Sequence, residues 1–590
     1  MTANKGFGKN SSYKSKSSLN IDTRLNEASK LIDLGKLELA LSNLKLIQDS
    51  QLKRGSLLNS LGLAFAHRGD THNAIDAFRH AVQAQPFNCE YLYNCSVAAL
   101  TLELLDESKS NLENVISISP DIADAHYNLG NIYRRELDFE KAKESYETAL
   151  SLQSNNLLVI YNYALTLQDM NLFDDAISSY KRLLSLEPFH CMALNNIGNA
   201  YISLEKYAEA VTYLEKVISI DPFLDIAHYN MGNVLRLLRL VPESILSYRK
   251  ALDLNAEDPD YHWNLANSLL LNGDYCEGLE KYEYRWQVIK NLPKLCSELL
   301  TSPELLWDGV NHSDGDEILL ICEQGLGDAL QFLRYGKYLR NSGFKVGIVA
   351  SKKLHELIRV SGLSDAIYFS DDVIKDFKWI SIMSLPRALG VTPTNSLIAE
   401  PYLNTTTEKS CYWNDRICSE NSFIIALNWS GNAQPNNHGL DNRSLPLEAF
   451  RPLASNKSVT FLSMQKGLGS EQFLTCSFRD QFVSCQQEVD DTWCFLDAAA
   501  ILMKCSLLIT SDTSVAHLAA GLGRPTWLLL HTNSEWRWGL EGESTFWYPS
   551  MRLFRQHERG NWDEVMNRVA LELEKFVSEQ NSPISQEVYQ

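Results

Sequence analysis

A period of 34 residues runs through the first half of the chain and limits it to a stack of helix pairs. A small residue returns once in each period, at Ala28, Gly62, Ser96, Gly130, Ala164, Gly198, Gly232 and Ala266. A second small residue follows twelve positions later, at Ala40, Ala74, Ser108, Ala142, Ala176, Ala210, Ser244 and Gly278. A bulky residue comes four positions after that, at Leu44, Phe78, Leu112, Tyr146, Tyr180, Leu214, Tyr248 and Tyr282. This spacing predicts antiparallel helices that approach closely at the small residues, with the bulky residues filling the space to the next pair.

Proline closes four of the periods at the same phase, at Pro86, Pro120, Pro188 and Pro222. Proline cannot continue a helix, so it marks the start of the next unit. The whole pattern resembles the tetratricopeptide repeat over residues 21–290, in about eight units. We therefore expect an α-solenoid, a tetratricopeptide superhelix, in this part of the chain.

A row of asparagines follows the same 34-residue period. Each lies two residues before the small residue, at Asn26, Asn94, Asn128, Asn162, Asn196, Asn230 and Asn264. Helix propensity does not explain asparagine at these positions. The amides either join neighbouring repeats or hold an extended polypeptide, because an amide both donates and accepts hydrogen bonds. The row is similar to that of protein O-GlcNAc transferases, whose repeats grip acceptor polypeptide. That resemblance implies an acceptor-binding role for Asn128, Asn162, Asn196, Asn230 and Asn264.

Beyond residue 300 the pattern changes to short apolar runs that alternate with amphipathic helices. Runs such as 318–322, 346–350, 424–429, 507–510 and 526–530 are typical of buried parallel strands. We predict a flexible tail (1–20), the repeats (21–290), a linker (291–316), two Rossmann-like halves (317–410 and 420–578, the second ending in a closing helix) and a tail (579–590). Two such α/β halves give the general form of a GT-B glycosyltransferase, with its site in the cleft at the carboxyl ends of the strands.

The first strand is followed by Gly325-Leu326-Gly327-Asp328. A dinucleotide-binding loop would need a third glycine where Leu330 stands. The turn instead resembles the first loop of heptosyltransferase-like enzymes (glycosyltransferase family 9). This resemblance implies that Asp328 is the general base on the acceptor hydroxyl, with Gly325 and Gly327 beside the donor. Asp328 is also at a position where aspartate commonly caps a helix, and both roles can hold together.

The most specific motif is residues 510–525, TSDTSVAHLAAGLGRP. A strand ends and a helix begins there, and free N–H groups in a first helical turn form a phosphate site. The motif resembles the donor-binding signature of the same family, which implies that Asp512, Thr513, Ser514 and His517 hold the donor diphosphate and sugar. The resemblance also implies Arg443 as a phosphate ligand. Gln465, with Lys466 at the end of a strand, is expected near the nucleotide.

Net charge and the length of apolar runs limit the classes of partner that this chain can bind. The formal net charge of −19 argues against nucleic acid and anionic membranes as partners. No apolar run is long enough for a membrane span, and we expect a cytoplasmic protein. The Asp314-Gly315-Asp316 sequence precedes its strand, which is the wrong edge for a metal that must meet a diphosphate. No metal and no cofactor is therefore expected.

Together these features predict a metal-independent, inverting glycosyltransferase that uses a nucleoside diphosphate-sugar as donor and a polypeptide as acceptor. Two alternatives remain open at this stage. The acceptor could be a glycan or a lipid-linked glycan, which are the acceptors of the resembled family. Alternatively, the repeats could be the working part and the α/β fold an inert scaffold.

Overall fold

The computed structural model describes residues 23, 26–32, 34–45, 51–289, 294–309, 317–369, 377–397, 401–417, 423–431 and 443–580. The predicted tail 1–20, much of the predicted linker, the Asp314–Asp316 sequence and residues 581–590 lie outside these ranges. The chain divides into two compact units, Met1–Asp221 and Pro222–Gln590. In the described part of the chain, no helix combines the length and the apolar character that a membrane crossing needs.

The first unit is helical throughout its described length. Its helices are α1 (Leu37–Lys45), α2 (Gln51–His67), α3 (Thr71–Ala84), α4 (Cys89–Thr101), α5 (Leu105–Ile118), α6 (Ala123–Arg135), α7 (Phe139–Leu152), α8 (Leu157–Asp169), α9 (Phe173–Leu186), α10 (Cys191–Ser203) and α11 (Tyr207–Ile220). The predicted pairing of small and bulky residues is confirmed. A Cβ atom on Gly130 would lie 2.7 Å from the Tyr146 ring, and one on Gly198 would lie 2.9 Å from Leu214. The small residue is therefore required where the two helices of a repeat meet.

The second unit begins with the last two repeats and continues into two parallel sheets. Its helices are α12 (Asp225–Leu237), α13 (Val241–Leu254), α14 (Pro259–Asn272), α15 (Tyr275–Tyr282), α16 (Arg285–Val288), α17 (Lys294–Leu299), α18 (Leu326–Phe332), α19 (Arg334–Asn341), α20 (His355–Val360), α21 (Leu385–Ala388), α22 (Thr407–Ile417), α23 (Gln486–Asp490), α24 (Phe495–Lys504), α25 (Ser514–Gly521) and α26 (Trp562–Gln580). The 3₁₀ segments are Pro303–Leu305, Lys352–Leu354, Leu447–Ser455, Ser470–Thr475, Arg479–Gln481 and Trp536–Trp538.

The two sheets contain only parallel pairs among their named strands. The first has the order β3-β2-β1-β4 and the second the order β6-β5-β7-β8-β9. The strands are β1 (Glu317–Ile321), β2 (Lys345–Val349), β3 (Ala366–Tyr368), β4 (Lys378–Ser381), β5 (Phe423–Asn428), β6 (Val459–Ser463), β7 (Leu507–Ser511), β8 (Thr526–Leu530) and β9 (Met551–Arg555). Parallel sheets with helices between their strands give this part the expected α/β character.

Two strands and four helices were not predicted. β4 is only four residues long, and β9 carries arginine at two of its five positions, so neither reads as a continuous apolar run. The four missed helices are α17, α21, α22 and α23. Between β2 and β3, the chain forms a 3₁₀ turn followed by the short α20.

The boundary between the units falls inside the repeats, at Asp221, whereas the sequence placed the end of the repeat domain at residue 290. The reason is aromatic packing within the second unit. The Trp536 ring meets Tyr275 and Tyr282 of the last repeat edge-on, each with ring centroids 6.0 Å apart. Arg285, which is fully buried, donates to Glu323 at 3.3 Å and to Ser384 at 2.6 Å. The last repeat is therefore part of the same core as the α/β fold.

Candidate functional site

A cleft of about 650 Å³ opens at the carboxyl ends of β1, β5, β6 and β7 in the second unit. Its lining includes all nine residues that the sequence assigned to catalysis and donor binding: Gly325, Gly327, Asp328, Arg443, Gln465, Asp512, Thr513, Ser514 and His517. The volume is that of a typical small-ligand site. Residues separated by up to 192 positions along the chain thus meet in one cavity.

Asp328 stands in the first turn of α18, on the wall formed by the first sheet. Its Oδ2 accepts a hydrogen bond from the Gly325 N–H at 3.1 Å, so the capping contact expected from the sequence is present. Its side chain keeps 22% exposure towards the cleft. Burial raises the pKa of Asp328 above its usual range, Arg537 opposes the rise, and Glu535 adds to it.

Arg537 and Glu535 are site residues that the sequence did not single out. Arg537 donates to Asp328 Oδ1 and to Glu535 Oε2, and its side chain is only 3% exposed. Both residues line the cleft. Arg537 pairs with an aspartate 209 positions away in the chain, and no local sequence pattern predicts such a pair.

The opposite wall is formed by the end of β7 and the start of α25. Thr513, which precedes α25, makes no side-chain hydrogen bond to the first N–H groups of this helix. Its hydroxyl instead donates to Asn428 Oδ1 at 3.0 Å. The first turn of α25 is therefore uncapped, and its residues Ser514 and Val515 line the cleft. An uncapped helix start of this kind attracts an anion through its N–H groups and the helix dipole.

Arg443 supplies a positive charge on this wall. Its Nε would lie 3.9 Å from a Cβ atom on Gly431, which places the guanidinium beside the loop after β5. Within the described ranges, Arg443 forms no ion pair. A cation without a carboxylate partner, next to an uncapped helix, is suited to a phosphate oxygen.

Asp512 follows β7 directly and faces the same space. Its Oδ2 accepts a hydrogen bond from the Trp538 indole N–H at 2.9 Å. Burial, and then the Glu535 carboxylate, raise the pKa of Asp512 to about 6, while Arg443 opposes the rise. Asp512 thus changes its charge near neutral pH.

His517 lies one turn into α25 and is buried. Burial lowers its pKa well below the usual value, and Arg537 and Arg334 lower it further, so the ring is neutral. The Tyr548 hydroxyl lies 2.9 Å from Nδ1. With Tyr548 as the donor in this pair, the neutral ring carries its proton on Nε2.

Gly327 allows this histidine to sit against the first loop. A Cβ atom at Gly327 would lie 3.2 Å from His517 Cδ2 and 3.7 Å from Nε2. Nε2 thus lies beside the first loop, and both residues line the cleft, so a proton on Nε2 can serve there as a hydrogen-bond donor.

Gln465 and Lys466 line the cleft, but their polar groups are engaged in the fold. Gln465 Oε1 accepts from the Ser430 N–H at 2.9 Å, and its Nε2 donates to the carbonyls of Ser430 and Leu468. Lys466 donates to the Val489 carbonyl, and burial lowers its pKa. In this structure Gln465 holds the loop after β5, whose residues Ser430 and Gly431 line the cleft.

The asparagine row lies within the repeats, each amide reaching back to the preceding repeat. In the first unit, Nδ2 of Asn128, Asn162 and Asn196 donates to the hydroxyls of Tyr93, Tyr127 and Tyr161 at 3.0–3.2 Å. In the second unit, Asn264 donates to Tyr229 at 3.0 Å, and Asn230 is buried. These are the inter-repeat contacts that the sequence left open as one interpretation. The signal that sequence reasoning missed is a tyrosine one position before the asparagine of the preceding repeat, at Tyr93, Tyr127, Tyr161 and Tyr229.

Comparisons with known proteins identify the repeats. Sequence models described as "Tetratricopeptide repeat" match residues 25–88, 123–156, 159–190, 192–224 and 229–291. The N-terminal part of the chain therefore consists of tetratricopeptide repeats. Among solved structures, MamA is similar at 25% identity over 27% of this chain and 94% of its own, with a TM-score of 0.27. YrrB is similar at 20% identity over 31% of this chain and 94% of its own, with a TM-score of 0.28.

Curated relatives match part of the chain. Protein FlbA of Caulobacter vibrioides is 23% identical over 52% of this chain and 54% of FlbA. The BBSome complex member BBS4 of Bos taurus is 27% identical over 22% of this chain and 26% of BBS4. The chain thus spans about half the length of the first relative and about a quarter of the second.

Proposed function

We propose that the second unit is a glycosyltransferase of the GT-B type that moves a sugar from a nucleoside diphosphate-sugar to an acceptor hydroxyl. One observation carries the proposal: a single cleft sets a partly exposed carboxylate, Asp328, opposite the uncapped start of α25 and the cation of Arg443, which forms no ion pair with the residues that the structure describes. Transfer from a diphosphate donor needs a base at one end of the reacting bond and anion stabilisation at the other.

The chemistry follows from these positions. Asp328 accepts the proton of the acceptor hydroxyl, whose oxygen forms the new bond to the anomeric carbon. The bond from that carbon to the diphosphate breaks, and its electron pair leaves with the phosphate. Arg443, the N–H groups of α25 and the Nε2–H of His517 stabilise the departing charge. A single displacement of this kind inverts the anomeric carbon, and the protein cations and N–H groups replace a metal.

The acceptor is proposed to be a polypeptide held by the repeats. Within the described ranges, the Oδ1 atoms of Asn128, Asn162 and Asn264 accept no hydrogen bond, so each can receive one from another chain. The second N–H of Asn162 and that of Asn264 donate to the carbonyl four residues earlier. The second N–H of Asn196 donates to the Tyr180 hydroxyl. A glycan or lipid-linked glycan remains the alternative acceptor, because these are the acceptors of the family that the cleft motifs resemble.

The experiment that tests the proposal measures sugar transfer and donor hydrolysis by the full chain, using a panel of UDP-, GDP-, ADP- and CDP-linked sugars. Asp328→Asn should abolish transfer and leave the affinity for the matching nucleoside diphosphate within about twofold, because the group acts on the acceptor proton. Asp365→Asn is the matched control, since Asp365 pairs with Arg340 and is absent from the cleft lining. Full transfer by Asp328→Asn would contradict the proposal.

The second candidate is an interaction scaffold. The tetratricopeptide matches favour it, and so does a relative that bears the name of a complex member, BBS4 of the BBSome. In that case no nucleoside diphosphate binds the cleft, while the repeats bind a partner polypeptide. Calorimetric titration with UDP, GDP, ADP and CDP separates the two candidates.

A further inference from the structure

The segment from Asn533 to Leu540 joins three parts of the second unit that the proposed function treats separately. Its Arg537 reaches Asp328 on the first wall of the cleft. Its Trp538 donates to Asp512 at 2.9 Å and stacks on His517 with ring centroids 5.5 Å apart, on the second wall. A single short segment therefore contacts the carboxylates on both sides of the cleft.

The last two repeats hold this segment at both ends and in the middle. Asn533 donates to the Leu237 carbonyl at 3.0 Å, and Arg239 donates to the Leu540 carbonyl at 2.8 Å. Between these points, the Trp536 ring packs edge-on between Tyr275 and Tyr282. The last two repeats thus support the segment that carries Arg537.

The guanidinium of Arg537 is fixed as well as buried. It lies 5.0 Å from the Trp536 ring centroid and 5.4 Å from that of Phe332 in α18. It donates to Asp328 through one terminal nitrogen and to Glu535 through the other. Asp328 is in turn held by the Gly325 N–H on its second oxygen. The carboxylate therefore has one orientation, with its open face towards the cleft.

We propose that Arg537 is a positioning residue that orients Asp328 for proton transfer, and that the last two repeats set its place. This inference rests on the proposed function, in which Asp328 is the base. It means that the repeats, besides presenting an acceptor, support the segment that reaches into the catalytic cleft.

Arg537 also affects the pH range over which the Asp328 carboxylate is ionised. Burial raises the pKa of Asp328, and the arginine is the group that opposes this rise. The other titratable groups that act on Asp328 or are acted on by it are Glu535, Tyr282 and Cys322. None of these three groups is positive, so removing the arginine takes away the charge that favours the ionised form of Asp328.

The test follows the titration of Asp328 without any donor or acceptor. The full chain is labelled with a water-soluble carbodiimide and an amine over a range of pH, and the labelling of Asp328 is read by peptide mass spectrometry. In Arg537→Gln the midpoint should move upward by about 1–3 pH units, the range that a close opposite charge produces. In Arg537→Lys, which keeps the charge, most of that shift should be absent. An unchanged midpoint in Arg537→Gln would overturn the proposal.

A second pair of variants tests whether the repeats position Arg537. This pair also tests the proposal if Arg537→Gln does not fold. Tyr275→Ala removes a ring that supports Trp536 and should shift the Asp328 midpoint in the same direction, by a smaller amount. Tyr275→Phe keeps the ring and should leave the midpoint unchanged. Equal midpoints in all three proteins, wild type included, would show that the repeats do not position Arg537.

Arg340→Gln is the matched control for losing an arginine–aspartate pair. It removes the partner of Asp365, at 2.8 Å, and should alter the labelling of Asp365 alone. Failure of the transferase proposal would appear separately, as the absence of nucleoside diphosphate binding in calorimetry, whatever the labelling shows.

Discussion

At the scale of single residues, Asp512 is a carboxylate placed where a negatively charged diphosphate is expected to bind. Burial and Glu535 raise the pKa of Asp512 to about 6. Protonation of this carboxylate therefore needs little free energy near that pH, and it removes the repulsion between Asp512 and the diphosphate. A bound diphosphate raises that pKa further, and binding therefore takes up a proton. We predict that nucleoside diphosphate affinity rises as pH falls from 8 towards 6, by up to about tenfold for each unit of added pKa shift.

The measurement is calorimetric titration in buffers of different ionisation enthalpy, which counts the protons taken up. Asp512→Asn is the control, because an asparagine oxygen can still accept from the Trp538 indole and has no proton to gain. The ligand's own phosphate ionisation is common to both proteins and cancels in the comparison. Equal proton uptake by wild type and Asp512→Asn would contradict this assignment.

At the scale of elements, the asparagine row joins successive repeats and is also proposed to hold polypeptide. Tyr93→Phe, Tyr127→Phe and Tyr161→Phe together remove the acceptors of these bonds in the first unit and leave every amide in place. Each lost bond should cost about 0.5–1.5 kcal/mol of unfolding free energy. The triple Asn→Ala variant at 128, 162 and 196 should lose a similar stability and, in addition, transfer to polypeptide.

Denaturant unfolding followed by circular dichroism gives the stability, and sugar transfer to a polypeptide gives the second readout. If the Tyr→Phe and Asn→Ala triples lose transfer equally, the row is an inter-repeat brace and the acceptor is held elsewhere. If only Asn→Ala loses transfer, the amides contact the acceptor.

The same elements show what a sequence can and cannot predict. The 34-residue phase located the repeats, and continuous apolar runs located β5, β7 and β8. Glycine and hydroxyl motifs at strand ends identified residues that do line one cleft. Arg537 and Tyr548 were missed because their meaning depends on partners far away in the chain, such as Asp328 and His517. A local sequence pattern predicts the helices and strands of a fold. Long-range pairs of charged groups or hydroxyls form only when those elements pack together, so a local pattern does not predict them.

At the scale of the whole molecule, two compact units share one chain, and the cleft belongs to the second of them. A chain of this kind is expected to unfold in more than one transition. A nucleoside diphosphate at 100 times its dissociation constant stabilises the unit that binds it by about 2.7 kcal/mol. For a unit of the second one's size, that corresponds to a rise in Tm of roughly 3–4 °C.

We therefore predict that scanning calorimetry of the full chain with UDP, GDP, ADP or CDP moves the transition of the second unit and leaves that of the first in place. Arg443→Gln removes a cation of the cleft and should abolish most of the shift, because a charged hydrogen bond to phosphate is then lost. Arg340→Gln changes an arginine outside the cleft and should keep the whole shift. A shift that survives Arg443→Gln unchanged would place the diphosphate away from the uncapped start of α25. No shift with any of the four nucleotides would leave the repeats as the binding part of the molecule, and the scaffold would then be the better account of this protein.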